Sequence, residues 1–213
     1  MKPMTFEYMI ENNPLRARIR EKMEVKCLRA AAEVGSIDHA LHIACGNGSA
    51  TRLILKHFPV KRLSAVDRDC ELIAAARRTH MQDARSHTID FSVQDVRSLS
   101  FDDGLFDAAF DLADLHNIPD WRRGLTELNR VLKPGGLLFL EELSLETFSH
   151  AAGRLFKALT DHPYDSMLTV RDFREQVLGS GFEILHFEVK IPFGLLKYFI
   201  MVARKVSAGP KGE

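Results

Sequence analysis

The sequence predicts an α/β fold: a doubly wound sheet of about seven strands, mostly parallel with an antiparallel last strand, carrying an N-terminal helix and an inserted helical lid. Three observations predict it. From Ala40 onward, short apolar runs alternate with helical patterns, as successive βαβ units require. A glycine-bearing turn, Cys45-Gly46-Asn47-Gly48, follows the first apolar run and precedes a helical stretch, where sheets of this kind take up ligands. The last two apolar runs are separated by only a few residues around Pro192-Phe193-Gly194. They must therefore pair antiparallel, since a parallel crossover needs roughly a dozen residues.

The elements follow in order. Residues 14–34 place Leu15, Ile19, Met23, Cys27 and Ala30/Ala31 at helical spacing, with Arg16, Arg18, Arg20 and Lys22 between them. That is an amphipathic helix with a solvated basic face. Strands are expected at 40–44, 62–66, 89–93, 106–111 and 137–141, with helices at 49–58, 69–81 and 121–132. Lys133-Pro134-Gly135-Gly136 is expected to break the last of these helices. Beyond it the rhythm changes. Residues 143–169 read as an insertion with a helix at 145–159 and a His162-Pro163-Tyr164-Asp165 turn. A helix at 170–179 and strands at 182–190 and 196–204 close the domain. The expected organisation is a cap at 1–36, one domain at 37–206 and a disordered tail at 207–213.

Bulk properties bound the function. A chain of 213 residues with 46% hydrophobic and 27% charged residues is ordinary globular material, enough for one well-cored domain. Basic and acidic residues balance at 29 each, which argues against a protein held by neutralising phosphates. Cys27, Cys45 and Cys70 are odd in number and lack CxxC spacing, which fits free thiols in a reducing, cytoplasmic setting. The segment MKPMTFEYMIENN has no continuous apolar h-region, and no run is long enough to cross a membrane. The histidines show no metal-binding spacing, so no metal is expected.

The chemistry begins at Gly46-Asn47-Gly48. Glycines let the backbone turn tightly and approach a ligand, while the free N–H groups of the following helix attract an anion. Asp67 closes the second strand, close to the offset of about 20 residues at which a carboxylate meets ribose hydroxyls. A nicotinamide dinucleotide would use the same features. Against it, Thr51 stands where the third glycine of that fingerprint belongs, and the terminal antiparallel pair is foreign to the usual dinucleotide fold.

Five segments in order carry a resemblance: His42-Ile43-Ala44-Cys45-Gly46-Asn47-Gly48, Val66-Asp67, Gln94-Asp95-Val96, Phe106-Asp107-Ala108-Ala109-Phe110-Asp111 and Arg130-Val131-Leu132-Lys133-Pro134-Gly135-Gly136. Over about residues 38–145 the chain resembles class I S-adenosylmethionine-dependent methyltransferases, whose fold is Rossmann-like. The stretch 115–144 is similar to their small-molecule branch that contains quinone-biosynthesis enzymes.

The resemblance implies S-adenosylmethionine as cofactor and S-adenosylhomocysteine as product. It implies that the Ala44 carbonyl and the Gly46, Asn47 and Gly48 backbone hold the methionine end. Asp67 would accept the ribose hydroxyls with Arg68 beside the adenine, and Asp95 and the Val96 N–H would read the adenine edge. Asp111 would line the methionine moiety. The chain departs from the family at His42, four residues before Gly46, where an acidic residue is usual; a histidine can serve there through its own hydrogen bonds.

Other side chains are weighed individually. Asp107 opens a strand at the end away from the expected site and reads as structural. His116 and Glu142 are the candidates for catalytic contact, against a helix-entry histidine and a solvated carboxylate. Tyr8, His116, Trp121 and Tyr164 are candidate substrate contacts. Asn117-Ile118-Pro119-Asp120 lacks the paired prolines and aromatic of the amino-group methyltransferase motif. The expected partner is a small, partly apolar methyl acceptor covered by the N-terminal segment (Phe6, Tyr8, Met9, Ile10) and the insertion (Phe148, Leu155, Phe156, Leu159), with a homodimer left open. The rival readings are an RNA methyltransferase, an NAD-dependent oxidoreductase and a non-catalytic cofactor-binding scaffold.

Overall fold

The structure is a computed structural model that describes residues 25–149, 167–191 and 197–207, together with Glu21, Arg154, Lys157 and Tyr164. Seven strands form one sheet: β1 (Ile37–His42), β2 (Val60–Asp67), β3 (Ile89–Val93), β4 (Phe106–Leu112), β5 (Leu132–Leu143), β6 (Phe182–Lys190) and β7 (Tyr198–Lys205). Their order is β3-β2-β1-β4-β5-β7-β6. The first five are parallel neighbours; β7 runs antiparallel to both β5 and β6. The helices are α1 (Lys26–Ala30), α2 (Ser49–His57), α3 (Cys70–His80), α4 (Trp121–Val131) and α5 (Val170–Gly179). The expected fold class holds, including the reversed last strand.

Two of the helices begin at a side-chain cap. Asp69 caps α3 by accepting from the N–H groups of Glu71 at 2.8 Å and Leu72 at 3.4 Å. Thr169 caps α5 by accepting from Asp172 N–H at 3.1 Å. The two sheet faces bury separate apolar layers. One holds Leu41, Ala109, Leu138 and Met201 with α4 and α5 side chains such as Leu125 and Phe173. The other holds Ala40, Phe110, Phe139 and Val202 with Leu28 and Ile54 from α1 and α2. In it Phe110 stacks on Phe139 at 4.9 Å, with Phe58 edge-on to both.

Several boundaries differ from expectation. β1 ends at His42, so Ala44 belongs to the turn and not to the strand. α4 gives way to β5 at once, and Lys133-Pro134-Gly135-Gly136 forms an irregularity inside that strand: Phe106 pairs with Leu132, then Ala108 with Leu137. Gly136 is required there, because a Cβ would lie 2.8 Å from the Lys133 carbonyl and 3.2 Å from that of Asp107. Asp107 fills the structural role expected of it, accepting from Lys133 Nζ at 2.6 Å and from His39 N–H at 2.8 Å.

Of the helix expected at 145–159, residues Leu145–Ser149 form a 3₁₀ turn, and most of the remainder lies outside the described residues. So do Tyr8, residues 1–20 and 22–24 of the N-terminal cap and residues 208–213 of the tail. Among the described residues no helix is long and apolar enough to cross a membrane, and no cluster of three metal-ligating side chains occurs.

Candidate functional site

Strands β1 and β4 are central neighbours whose connections leave in opposite directions, so a crevice opens beyond their carboxyl ends. Both exits carry a non-glycine residue in the left-handed region, Ala44 at φ 46° and Ala113 at φ 68°. Such backbone costs about 1–2 kcal/mol per residue and collects at ligand sites. The turn after Ala44 is held by Cys45 N–H on the Val66 carbonyl and by Gly48 N–H on the Cys45 carbonyl, both at 2.9 Å. Gly48, at φ 83°, begins α2 pressed against α3: a Cβ would sit 2.9 Å from the His80 ring, whose Nε2 lies 2.8 Å from the Gly48 carbonyl.

His42 and Thr51 are both fully buried, and His42 Nδ1 lies 3.0 Å from Thr51 Oγ1. The residue that departs from the family pattern and the one that replaces the third glycine therefore meet each other. The contact ties the end of β1 to the first turn of α2.

Asp67 closes β2 with each carboxylate oxygen engaged once: Oδ2 accepts from Gly46 N–H and Oδ1 from Asp69 N–H, both at 2.9 Å. A carboxylate offers roughly four acceptor positions, so it retains capacity for two more donors. Asp95 is bound by Arg97, whose Nη2 donates to Oδ2 at 2.6 Å and Nε to Oδ1 at 3.0 Å. The guanidinium holds the Asp95 carboxyl below the ordinary carboxylate range.

A cleft of about 230 Å³ joins these groups, lined by Ala44, Asp67, Arg68, Asp95 and Val96 among the expected residues. Val66, Asp69, Gln94 and Asn117 line it as well, and sequence reasoning missed Leu72, Arg97, Asp114 and Ile118. Nothing short of the loop conformation would have found them. The apolar flanks (Val66, Leu72, Val96, Ile118) with the spare acceptor positions of Asp67 suit an adenosine, whose adenine is planar and whose ribose hydroxyls donate.

Four other expected residues are not in the lining. Gly46 turns its N–H to Asp67, Gly48 shapes the turn, and Asn47 accepts from Ser49 N–H at 3.1 Å. Asp111 is fully buried beside Glu142.

Burial, reinforced by the neighbouring Glu142 carboxyl, pushes Asp111 well above its usual range. Burial also pushes Glu142 up to about 8, against the favourable hydrogen bonds it receives. Glu142 accepts from Leu115 N–H at 2.7 Å, and its Oε2 lies 2.7 Å from His116 Nδ1. The structure thus brings His116 and Glu142 together, and the solvated-carboxylate reading of Glu142 falls. Trp121 is placed elsewhere: it is 1% exposed and packs against Phe173 at 5.3 Å, because it opens α4 on the core side. Tyr164 packs edge-on to Phe148 at 4.9 Å and lies outside the cleft lining.

The rim and sheet define a ligand-binding α/β domain of the doubly wound type. Residues 41–140 match the family model described as Methyltransferase domain. Among curated proteins, the chain is 38% identical over 119 residues to 2-phytyl-1,4-naphtoquinone methyltransferase of Nostoc punctiforme, covering 55% of this chain and 50% of that protein. It is 33% identical over 108 residues to a ubiquinone/menaquinone biosynthesis C-methyltransferase of a Geobacter species, covering 50% and 46%. The chain spans about half the length of the curated relatives it matches.

Among solved structures, an S-adenosylmethionine-dependent methyltransferase of Methanosarcina mazei superposes with TM-score 0.67 at 25% identity, covering 82% of this chain and 95% of that one. The [4+2]-cyclase SpnF superposes with TM-score 0.71 at 21% identity, covering 91% and 82%, so the fold alone does not dictate the reaction. Over residues 41–140 the chain is thus similar to class I, S-adenosylmethionine-dependent methyltransferases in both sequence and fold.

Proposed function

We propose that the protein transfers a methyl group from S-adenosylmethionine to a small, partly apolar acceptor by direct in-line displacement. The observation that carries this reading is the convergence of Ala44, Asp67, Asp95 and Val96 on one cleft at the β1/β4 switch point. Asp67 binds the ribose hydroxyls through its spare acceptor positions. Asp95 and the Val96 N–H address the adenine edge, with Arg68 beside the ring. The Ala44 carbonyl takes the methionine end. When bound, the sulfonium supplies an electrophilic methyl and a neutral thioether leaving group. The chain's task is then alignment, which contributes up to roughly 7–11 kcal/mol in favourable systems.

The relatives act on quinone-type and other small molecules by their names, which supports a compact acceptor over a polynucleotide; the balanced charge supports it too. A screen with methyl-labelled S-adenosylmethionine against quinols, phenols, amines, lipids and RNA tests the proposal. Label should pass to a small molecule. Transfer to RNA alone, or cofactor binding with no transfer to any acceptor, would sink it.

A further inference from the structure

One buried titratable side chain reaches the glycine turn from behind the cleft. His80 ends α3 and is 2% exposed. Its Nε2 lies 2.8 Å from the Gly48 carbonyl, and its Nδ1 lies 2.9 Å from Asp83 Oδ2. The ring also occupies the room that a side chain on Gly48 would need. Asp83 is held in place by its own N–H on the His80 carbonyl at 2.9 Å, and its Oδ2 accepts from Arg52 Nη2 at 3.2 Å. Arg52 belongs to α2, and its backbone N–H meets the Gly48 carbonyl at 3.3 Å. The chain of contacts is therefore closed: Gly48 to His80, His80 to Asp83, Asp83 to Arg52, and Arg52 back to Gly48.

The two oxygens at the ring are acceptors alone, since neither a carbonyl nor an ionised carboxylate has a proton to give. A neutral imidazole carries one N–H. Either of its tautomers sets a lone pair against an oxygen, at Gly48 or at Asp83, and that contact must open. The imidazolium answers both: Nε2–H donates to the carbonyl, and the positive ring faces the carboxylate. Opening either contact breaks the clamp between α3 and the first turn of α2. Among the described residues, the charged groups at the ring are Asp83, from the turn after α3, and Arg52, from α2. Arg77 of α3 is directed to the Phe91 carbonyl instead. From β3 the Phe91 ring stands 5.4 Å away. The Cys45 thiol, in the apolar cluster with Phe91 and Ala76, is pushed up by burial and stays neutral.

We propose that His80, as an imidazolium, is a positioning residue for the cofactor. It fixes the Gly46–Gly48 turn by donating to the Gly48 carbonyl while Asp83 balances its charge. The grip of the turn on the cofactor weakens as the ring loses its proton.

The inference rests on the cofactor reading above, and the test separates the two. S-adenosylhomocysteine is titrated into the full chain from about pH 5 to 8, the range in which imidazoles change charge. The native protein is compared with His80→Gln, whose amide can donate to a carbonyl but does not titrate. The native Kd should rise about 2–12-fold across the range, the worth of one hydrogen bond, and the His80→Gln Kd should not follow it. Asp83→Asn, at a partly exposed position, removes the countercharge and should move the midpoint of the rise to lower pH. The ¹⁵N resonances of the His80 ring, followed without cofactor, should show both nitrogens protonated at the acid end, with the Gly48 carbonyl shift moving along the same curve. These resonances and Asp83→Asn decide the matter if His80→Gln does not fold. Identical pH profiles in the native chain and His80→Gln, a midpoint unmoved in Asp83→Asn, or a ring already neutral at the acid end would each overturn the inference. If S-adenosylhomocysteine binds all the same, those results remove only the role of His80. Binding at no pH fails the cofactor reading itself, and the positioning role with it.

Discussion

Two pairs of carboxyl groups lie at the carboxyl ends of the strands of one sheet and are used in opposite ways. Asp67 and Asp95 line the open cleft, one held by backbone N–H groups and the other by Arg97, which keeps it below the ordinary range. Asp111 and Glu142 lie behind the cleft wall, fully buried, and are pushed up. The first pair faces the cleft, where a ligand can reach its oxygens. The second retains protons because burial penalises its charge. Residue type alone does not distinguish them; the depth at which each strand delivers its side chain does.

The largest test of that contrast is Glu142→Ala. It removes the acceptor of the Leu115 N–H and of the His116 ring in a dry interior, and should cost about 1–3 kcal/mol of stability for each buried group left unsatisfied. Denaturant titration reads it out. Asp67→Ala should instead spare most of the fold and weaken binding of S-adenosylmethionine by about 1.5–3 kcal/mol, the range for a hydrogen bond to a charged group. Equal losses of stability in the two variants would dissolve the contrast.

A pH series sharpens it further. A carboxyl raised from 4.5 to about 8 in the fold contributes stability that is complete below 4.5 and is lost as pH rises toward 8. Asp111, Asp114, Glu141 and His116 are titratable groups that act on it. The stability difference between the native chain and Glu142→Gln should therefore fall across that window, followed by unfolding midpoints at fixed temperature. A difference that rises with pH would contradict the assignment. The smallest effect is expected of Arg97→Ala. Its partner pair is about one-third exposed, so stability should change by no more than about 1 kcal/mol.

What the sequence made legible was the half of the site built on backbone. Glycines at positive φ and a carboxylate closing a strand follow from turn geometry and strand register, both local, and Gly46, Gly48 and Asp67 stand where that logic puts them. The reversed β7 was equally local in origin, set by a connection too short for a crossover.

The other half depends on side-chain depth. Asp111 and Trp121 read as site residues because each follows a site strand, yet the pleat and the first turn of α4 turn them inward. His42 read as a departure and Thr51 as a missing glycine. Only tertiary contact reveals them as one pair. Arg97 could not be foreseen, since its hold on Asp95 depends on the loop conformation after β3.

The central claim is that the cleft between β1 and β4 is made for S-adenosylmethionine and not for a dinucleotide. Calorimetric titration of the intact protein with S-adenosylmethionine, S-adenosylhomocysteine and NAD tests it most directly. The account predicts saturable binding of the first two, weakened in Asp67→Ala, and little heat with NAD. NAD binding as tightly as S-adenosylmethionine, or an unchanged Kd in a folded Asp67→Ala variant, would contradict it.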